Sequence, residues 1–183
     1  MDKNKTGILF FIGSESFFFL SLMIAFVYYA LPLSELSVKY LDLNRTIIFS
    51  VFLIASSFTL VLSQRMMKKN NRSWQLVFLG ITFLFGLIFI YGQGSEYAKL
   101  FRLNMTISTG VFGTTFFTLT GFHGLHVIIG LVMIMMIGLM TLSGYFRRIE
   151  AVFYESVSVY WHFVDAVWIF VFTLAYLVPI FLK

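Results

Sequence analysis

Apolar residues fall into five long runs, at 7–31, 46–64, 74–95, 107–141 and 155–181, and most charged residues gather in the short stretches between them. A helix crossing about 30 Å of hydrocarbon needs roughly 20 residues at about 1.5 Å each, so every run is a candidate span. The fourth run is too long for an upright span and must tilt or project from the bilayer. No Pro, Asn or charged residue divides it, so one long helix is predicted there. The predicted class is all-α: a polytopic membrane protein with residues 1–183 forming a single bundle of five transmembrane helices.

The connections are short: "PLSELSVKYLDLN" (32–44), "RMMKKNNR" (65–72), "EYAKLFRLN" (96–104) and "SGYFRRIE" (143–150). None can fold into a soluble domain, and no internal repeat is present, so function must sit within the membrane or arise through a partner. Basic residues set the predicted orientation. Lys3, Lys5, Arg65, Lys68, Lys69, Arg72, Arg147 and Arg148 would share one side, and Lys39, Arg45, Lys99, Arg102 and Lys183 the other. This bias predicts the N-terminus inside and the C-terminus outside. The first run is long and lacks an A-x-A site, so it reads as a retained helix and not as a signal peptide.

Composition agrees with the pattern. The chain is 60% hydrophobic and 11% charged, against about 25% charged residues in soluble domains. It has no cysteine, which excludes disulfides, thiolate metal sites and a Cys nucleophile. The net charge of +5 is an orientation signal, not a nucleic-acid footprint.

The candidate chemistry lies in ionisable residues inside the runs, where such groups are costly and face partners. Glu15 lies about two turns into the first helix, in "IGSESFFF", and Glu96 at the end of the third, in "GSEY". His123 and His126 belong to "TGFHGLHVIIG", within a stretch from Leu103 to Phe146 that has no Asp, Glu, Lys or Arg. Three residues apart, they share a helix face. His162 and Asp165, in "YWHFVDAVW", fall with Glu155 and Ser158 on one stripe of the fifth helix, while Trp161 and Trp168 lie on another.

Gly121 and Gly124 would let a neighbouring helix approach, so that the imidazoles hydrogen-bond across the contact. Two sharper readings stand beside that one. The histidines could ligate a metal, with Glu96 or His162 completing the site, or they could handle protons. Glu15 divides between a proton-related function and a neutral, hydrogen-bonded structural acid. Glu96 and Glu155 lie near the interfaces, where solvated or salt-bridged carboxylates are ordinary. The Ser and Thr residues of the second helix would bond back to their own helix or pack at contacts. Haem-bearing membrane subunits need more histidines than the three present, and a dinuclear copper site needs cysteines. No catalytic, cofactor-binding or metal site is therefore predicted in this chain.

At these residues the chain resembles a known family. "STGVFGTTFFTLTGFHGLHVIIG" (108–130) and "YWHFVDAVWIFVF" (160–172) closely resemble cytochrome c oxidase subunit III. "FFIGSESFFF" (10–19), "LNRTIIFSVFLIASSFT" (43–59) and "GSEY" (94–97) are similar to its other helices, in order. The resemblance is to the five-helix portion of the family's seven-span members, as in short bacterial forms. It implies a non-catalytic subunit of a proton-pumping haem–copper oxidase in a bacterial cytoplasmic membrane. Such a subunit stabilises subunit I, supports proton uptake, and guides oxygen or lipid access. Haem and copper would sit in partner subunits, with subunits I, II and IV as partners and phospholipid bound. Glu15 matches the family's carbodiimide-reactive buried acid, and Glu96, His123, His126, His162 and Asp165 match its recurrent polar positions. Subunit III of a quinol oxidase, a more distant relative associated with nitric oxide reductase, and an independent proton or metal transporter are the alternatives.

Overall fold

The computed structural model describes residues 3–143 and 148–182, without the side chains of residues 3–5 and 148–151. Lys3, Lys5, Arg147, Arg148 and Lys183, used above for orientation, lie outside the described residues or side chains.

Helix α1 covers Lys3–Tyr29 and runs into a 3-10 turn at Leu31–Leu33. Pro32 lies in that turn, where proline disfavours continued α-helix for the residue before it. A short helix α2, Ser34–Tyr40, follows within the segment expected to be only a connection. Asp42 then caps α3 (Leu43–Lys68), its side chain accepting from the Arg45 N–H at 3.2 Å. Asn71 does the same for α4 (Arg72–Arg102), accepting from the Trp74 N–H at 3.3 Å.

The long helix is a single element, α5, Gly110–Ser143. Helix α6 spans Arg148–Phe172 and continues through a π-turn, Thr173–Leu177, into α7, Val178–Phe181. Pro179 has no N–H to donate and its ring clashes with the carbonyl four residues earlier. The wider π-turn just before it relieves that crowding. Among the described residues, five segments are long and apolar enough to cross a membrane: Thr6–Tyr29, Leu43–Lys68, Arg72–Arg102, Gly110–Ser143 and Val152–Phe181.

Several boundaries differ from expectation: α3 runs on to Lys68 and not 64, α6 begins at Arg148 and not 155, and α4 ends late. Helix α4 does not stop at residue 95 but continues to Arg102. Glu96 and Leu100, four apart, are both buried, so this last part is an amphipathic turn that hydropathy alone reads as loop. The stop is Asn104, whose φ of 57° places it in the left-handed region, while Met105 N–H reaches back to Leu100 O. Asn70, at φ 54°, ends α3 in the same way.

Helices α3 and α4 form a closely packed hairpin, α5 packs against α4 and α6, and α1 lies against α5 and α6. Trp161 is the largest fully buried side chain. It sits where two helices lack side chains: a Cβ on Gly130 would lie 2.6 Å from its ring, and one on Gly86 3.0 Å.

Candidate functional site

Glu15 and His126 meet across the α1–α5 contact, with Glu15 Oε2 3.1 Å from His126 Nε2. Their side chains are 22% and 12% exposed respectively. Phe18, Phe19 and Phe122 pack around them, Phe19 edge-on to the imidazole at 4.9 Å. His126 Nδ1 lies 2.7 Å from the carbonyl of Phe122. A carbonyl only accepts, so Nδ1 carries a hydrogen and donates. One proton is then left to the pair. Either the Glu15 O–H donates to Nε2, or Nε2–H donates to the carboxylate. The contact is a single hydrogen bond between two titratable side chains. Ser14, Ser16 and Ser21 of α1 do not compete, because each bonds back to its own helix.

His123 differs from its neighbour. It is fully buried and stacks on Trp168 at 4.9 Å, with Phe89 edge-on at 5.9 Å. Neither ring nitrogen has a hydrogen-bond partner among the described residues. The expected hydrogen bond across the helix contact is thus made by His126 and not by His123. A step of three residues turns a helix by about −60°, enough to aim one ring at α1 and the other at the aromatic core. Gly124 does receive a neighbour, the Gln93 amide, 3.1 Å from where its Cβ would lie. Gly121 is looser, with Tyr97 Oη at 3.7 Å.

On α6, His162 and Asp165 converge on one hydroxyl of α3. Ser57 Oγ lies 2.9 Å from His162 Nδ1 and donates to Asp165 Oδ2. With its only hydrogen committed to the carboxylate, Ser57 must accept from His162 Nδ1–H. In a hydrolytic triad the histidine lies between serine and carboxylate and takes the serine proton. Here the serine is in the middle, so this cluster is not a nucleophile. Asp165 is buried, and its Oδ1 has no hydrogen-bond partner among the described residues. Glu155 is exposed and Ser158 buried on the same helix.

Glu96 is not at a solvated interface. It is 7% exposed and joins three segments. Oε1 accepts from the Asp42 N–H at 3.2 Å, and Oε2 from Tyr176 at 2.6 Å and Thr46 at 3.3 Å. The π-turn before Pro179 is what carries Tyr176.

Thr46, Ser50, Ser56 and Thr59 of α3 bond back locally, as expected, whereas Ser63 donates to Gln75 O of α4 at 2.8 Å, and Ser50 and Ser56 also accept from α6. Trp168 Nε1 donates to Ser50 Oγ at 2.8 Å and Trp161 Nε1 to Ser56 Oγ at 2.9 Å. Tyr154 donates to Leu60 O at 3.4 Å. These three aromatic donors are spaced by seven residues, two helical turns each.

A further chain links α4 to α5. Gln93 Nε2 donates to Thr120 O at 2.6 Å and to Tyr97 Oη at 3.3 Å. Thr120 gives its hydrogen to Phe116 O at 2.7 Å, so Tyr97 donates to Thr120 Oγ1, also at 2.7 Å. Gln93, Ser57, Tyr176 and Asp42 were not singled out from sequence.

The structure thus pairs Glu15 with His126 and His162 with Asp165, and keeps Glu96 and His123 in separate surroundings. No three His, Asp or Glu residues converge as a metal-ion site among the described residues. We predict that His126→Leu, which leaves the half-buried Glu15 carboxyl without its partner, lowers stability by about 1–3 kcal/mol. Thermal unfolding of the detergent-solubilised protein reads this directly, and a wild-type transition would remove the shared contact.

A family model described as cytochrome c oxidase subunit III matches residues 1–179. Cytochrome c oxidase subunit 3 of a Synechocystis strain is 36% identical over 180 residues, covering 96% of this chain and 76% of that one. The proteins of the same name from Osphranter robustus and Homo sapiens are 35% and 36% identical over 188 residues, covering 94% of this chain and 68% of each.

Proposed function

Because the chain belongs to the cytochrome c oxidase subunit III family, we propose that it serves a haem–copper oxidase as a subunit without a redox centre of its own. In this reading it packs against subunit I in a bacterial cytoplasmic membrane, alongside subunits II and IV and phospholipid. Haem and copper belong to the partners. The relatives' names supply the electron donor of the reading, cytochrome c. The basic loop carrying Arg65, Lys68, Lys69 and Arg72 is placed on the cytoplasmic side.

The observation that carries the functional part is the Glu15–His126 pair. Two titratable groups share one proton at a helix contact within the membrane, beside α6, whose Tyr160 donates to the His126 carbonyl at 3.1 Å. Packing alone is served by apolar side chains, whereas a proton-sharing pair can take up or release charge as the neighbouring subunit pumps. The chain's role is then twofold: it braces subunit I and supports proton delivery to it.

Glu15→Gln tests this cleanly. The Gln amide can still donate to His126 Nε2, so the contact persists while the transferable proton is gone. The purified variant oxidase should assemble with normal haem content, yet turn over more slowly or inactivate sooner during turnover. Unchanged turnover, inactivation and pumping would remove the proton-support role and leave a structural one.

A further inference from the structure

At the outer margin of the α3–α6 contact, His162 leaves one polar atom unused. Its Nδ1–H is given to Ser57, whose own hydrogen goes to Asp165. In the neutral imidazole the other nitrogen, Nε2, is then a bare acceptor. Asp165 is buried, but His162 is only half-buried. Its Nε2 has no hydrogen-bond partner among the described residues and is not one of the unpartnered atoms shielded inside the bundle. It therefore reaches the surface.

Depth makes this acceptor costly. Ser57 stands near the middle of α3, Leu43–Lys68, so the cluster lies near the centre of the span, where the surroundings are hydrocarbon. Helix α1 covers a different side of α6, where Phe11 meets Tyr160 and Phe19 meets Phe163. The side bearing His162 stays open. Val159 and Ala166, three residues before it and four after, share its face and are exposed. Neither offers a donor, and Ala166 is small enough to let another helix come close.

We propose that this face of α6 is a docking surface for a transmembrane helix of a neighbouring oxidase subunit, which presents a hydrogen-bond donor to His162 Nε2. Such a helix exists only if the chain serves an oxidase, so the docking surface rests on that reading. A phospholipid does not meet the need, because its headgroup lies about 15 Å from the bilayer centre and its acyl chains carry no donor. A second copy of this chain, related by a two-fold axis, would set acceptor against acceptor.

Two substitutions separate the two nitrogens of His162. Asn reaches only as far as Nδ1, so His162→Asn keeps a donor for Ser57 and loses the outward acceptor. Gln reaches as far as Nε2, so His162→Gln keeps the outward acceptor. The oxidase is purified through a tag on this chain, and haem per chain is read after a detergent wash. His162→Asn should retain the haem-bearing subunits about 2–10-fold less well, the scale of one net hydrogen bond, and His162→Gln should hold them like wild type. Equal retention in Asn and wild type overturns the docking surface, and equal loss in both variants assigns His162 to the bundle's own packing instead. Density of the wild-type oxidase decides even if the variants do not accumulate. A partner donor about 2.7–3.2 Å from Nε2 is expected, and an acyl chain, a second copy or no chain against this face overturns the proposal. A wild-type preparation without haem would remove the oxidase reading itself, and the docking surface with it.

Discussion

Glu96→Leu should be among the most damaging single substitutions in the chain. The carboxylate accepts from the Asp42 N–H, Tyr176 and Thr46, and leucine accepts from none. Thr46 has a fallback, since its hydroxyl already lies 2.9 Å from Asp42 O. Tyr176 can turn to the Thr46 hydroxyl, with which it also bonds, but the Asp42 N–H has no such alternative among the described contacts. The part-buried Asp42 N–H left unpaired costs about 1–3 kcal/mol, and the lost Tyr176 bond adds about 0.5–1.5 kcal/mol. The damage is also shared, because Asp42 caps α3 and Tyr176 belongs to the π-turn. Thermal unfolding in detergent and the yield of assembled oxidase measure it. Glu96→Gln, which keeps an acceptor oxygen, should recover most of the loss. Wild-type stability in the leucine variant would show that Glu96 does not hold the junction.

Trp161→Ala should cost about 3–5 kcal/mol, the usual range for emptying a large aromatic site. Here the neighbours cannot close the gap easily. Gly86 and Gly130 face the indole from α4 and α5 and have no side chains with which to fill the space. The substitution also strips Ser56 of the indole donor. Trp161→Phe separates the two effects, because it keeps most of the ring and loses only the N–H. An unfolding midpoint for Trp161→Phe close to wild type, with Trp161→Ala far below, would assign the stability to packing. Equal losses would assign it to the hydrogen bond.

How much of this was legible beforehand depends on which physical signal each feature carries. The five spans follow from hydropathy, and α5 reads as one helix because no Pro, Asn or charged residue interrupts residues 110–143. The end of α4 did not show, because Glu96, Lys99 and Arg102 look like a polar loop until their helical spacing is set against the buried Leu100. The stop at Asn104 is a conformational signal, and hydropathy does not contain it. Residue types flagged Glu15, His126, His162 and Asp165, but the pairing is tertiary. Nothing along the chain distinguishes His123, stacked on Trp168, from His126, bonded to Glu15. Ser57 and Gln93 were hidden by their ordinariness. An uncharged polar residue inside a helix is usually silent, and here each acts only through what a neighbouring helix brings to it.

The three aromatic donors of α6 have a mechanical meaning. Tyr154, Trp161 and Trp168 bond at successive levels to Leu60, Ser56 and Ser50 of α3, which runs in the opposite direction. Rotating α6 breaks all three bonds together, and sliding it by one turn, about 5.4 Å, carries every donor past its acceptor. The two helices are thus keyed to a common depth. Bilayers differ in thickness, and single helices adapt by tilting or shifting along their neighbours. A keyed pair can adapt only by tilting as one body, so a thinner or thicker membrane would change the angle at which this bundle meets its surroundings while leaving its internal levels aligned.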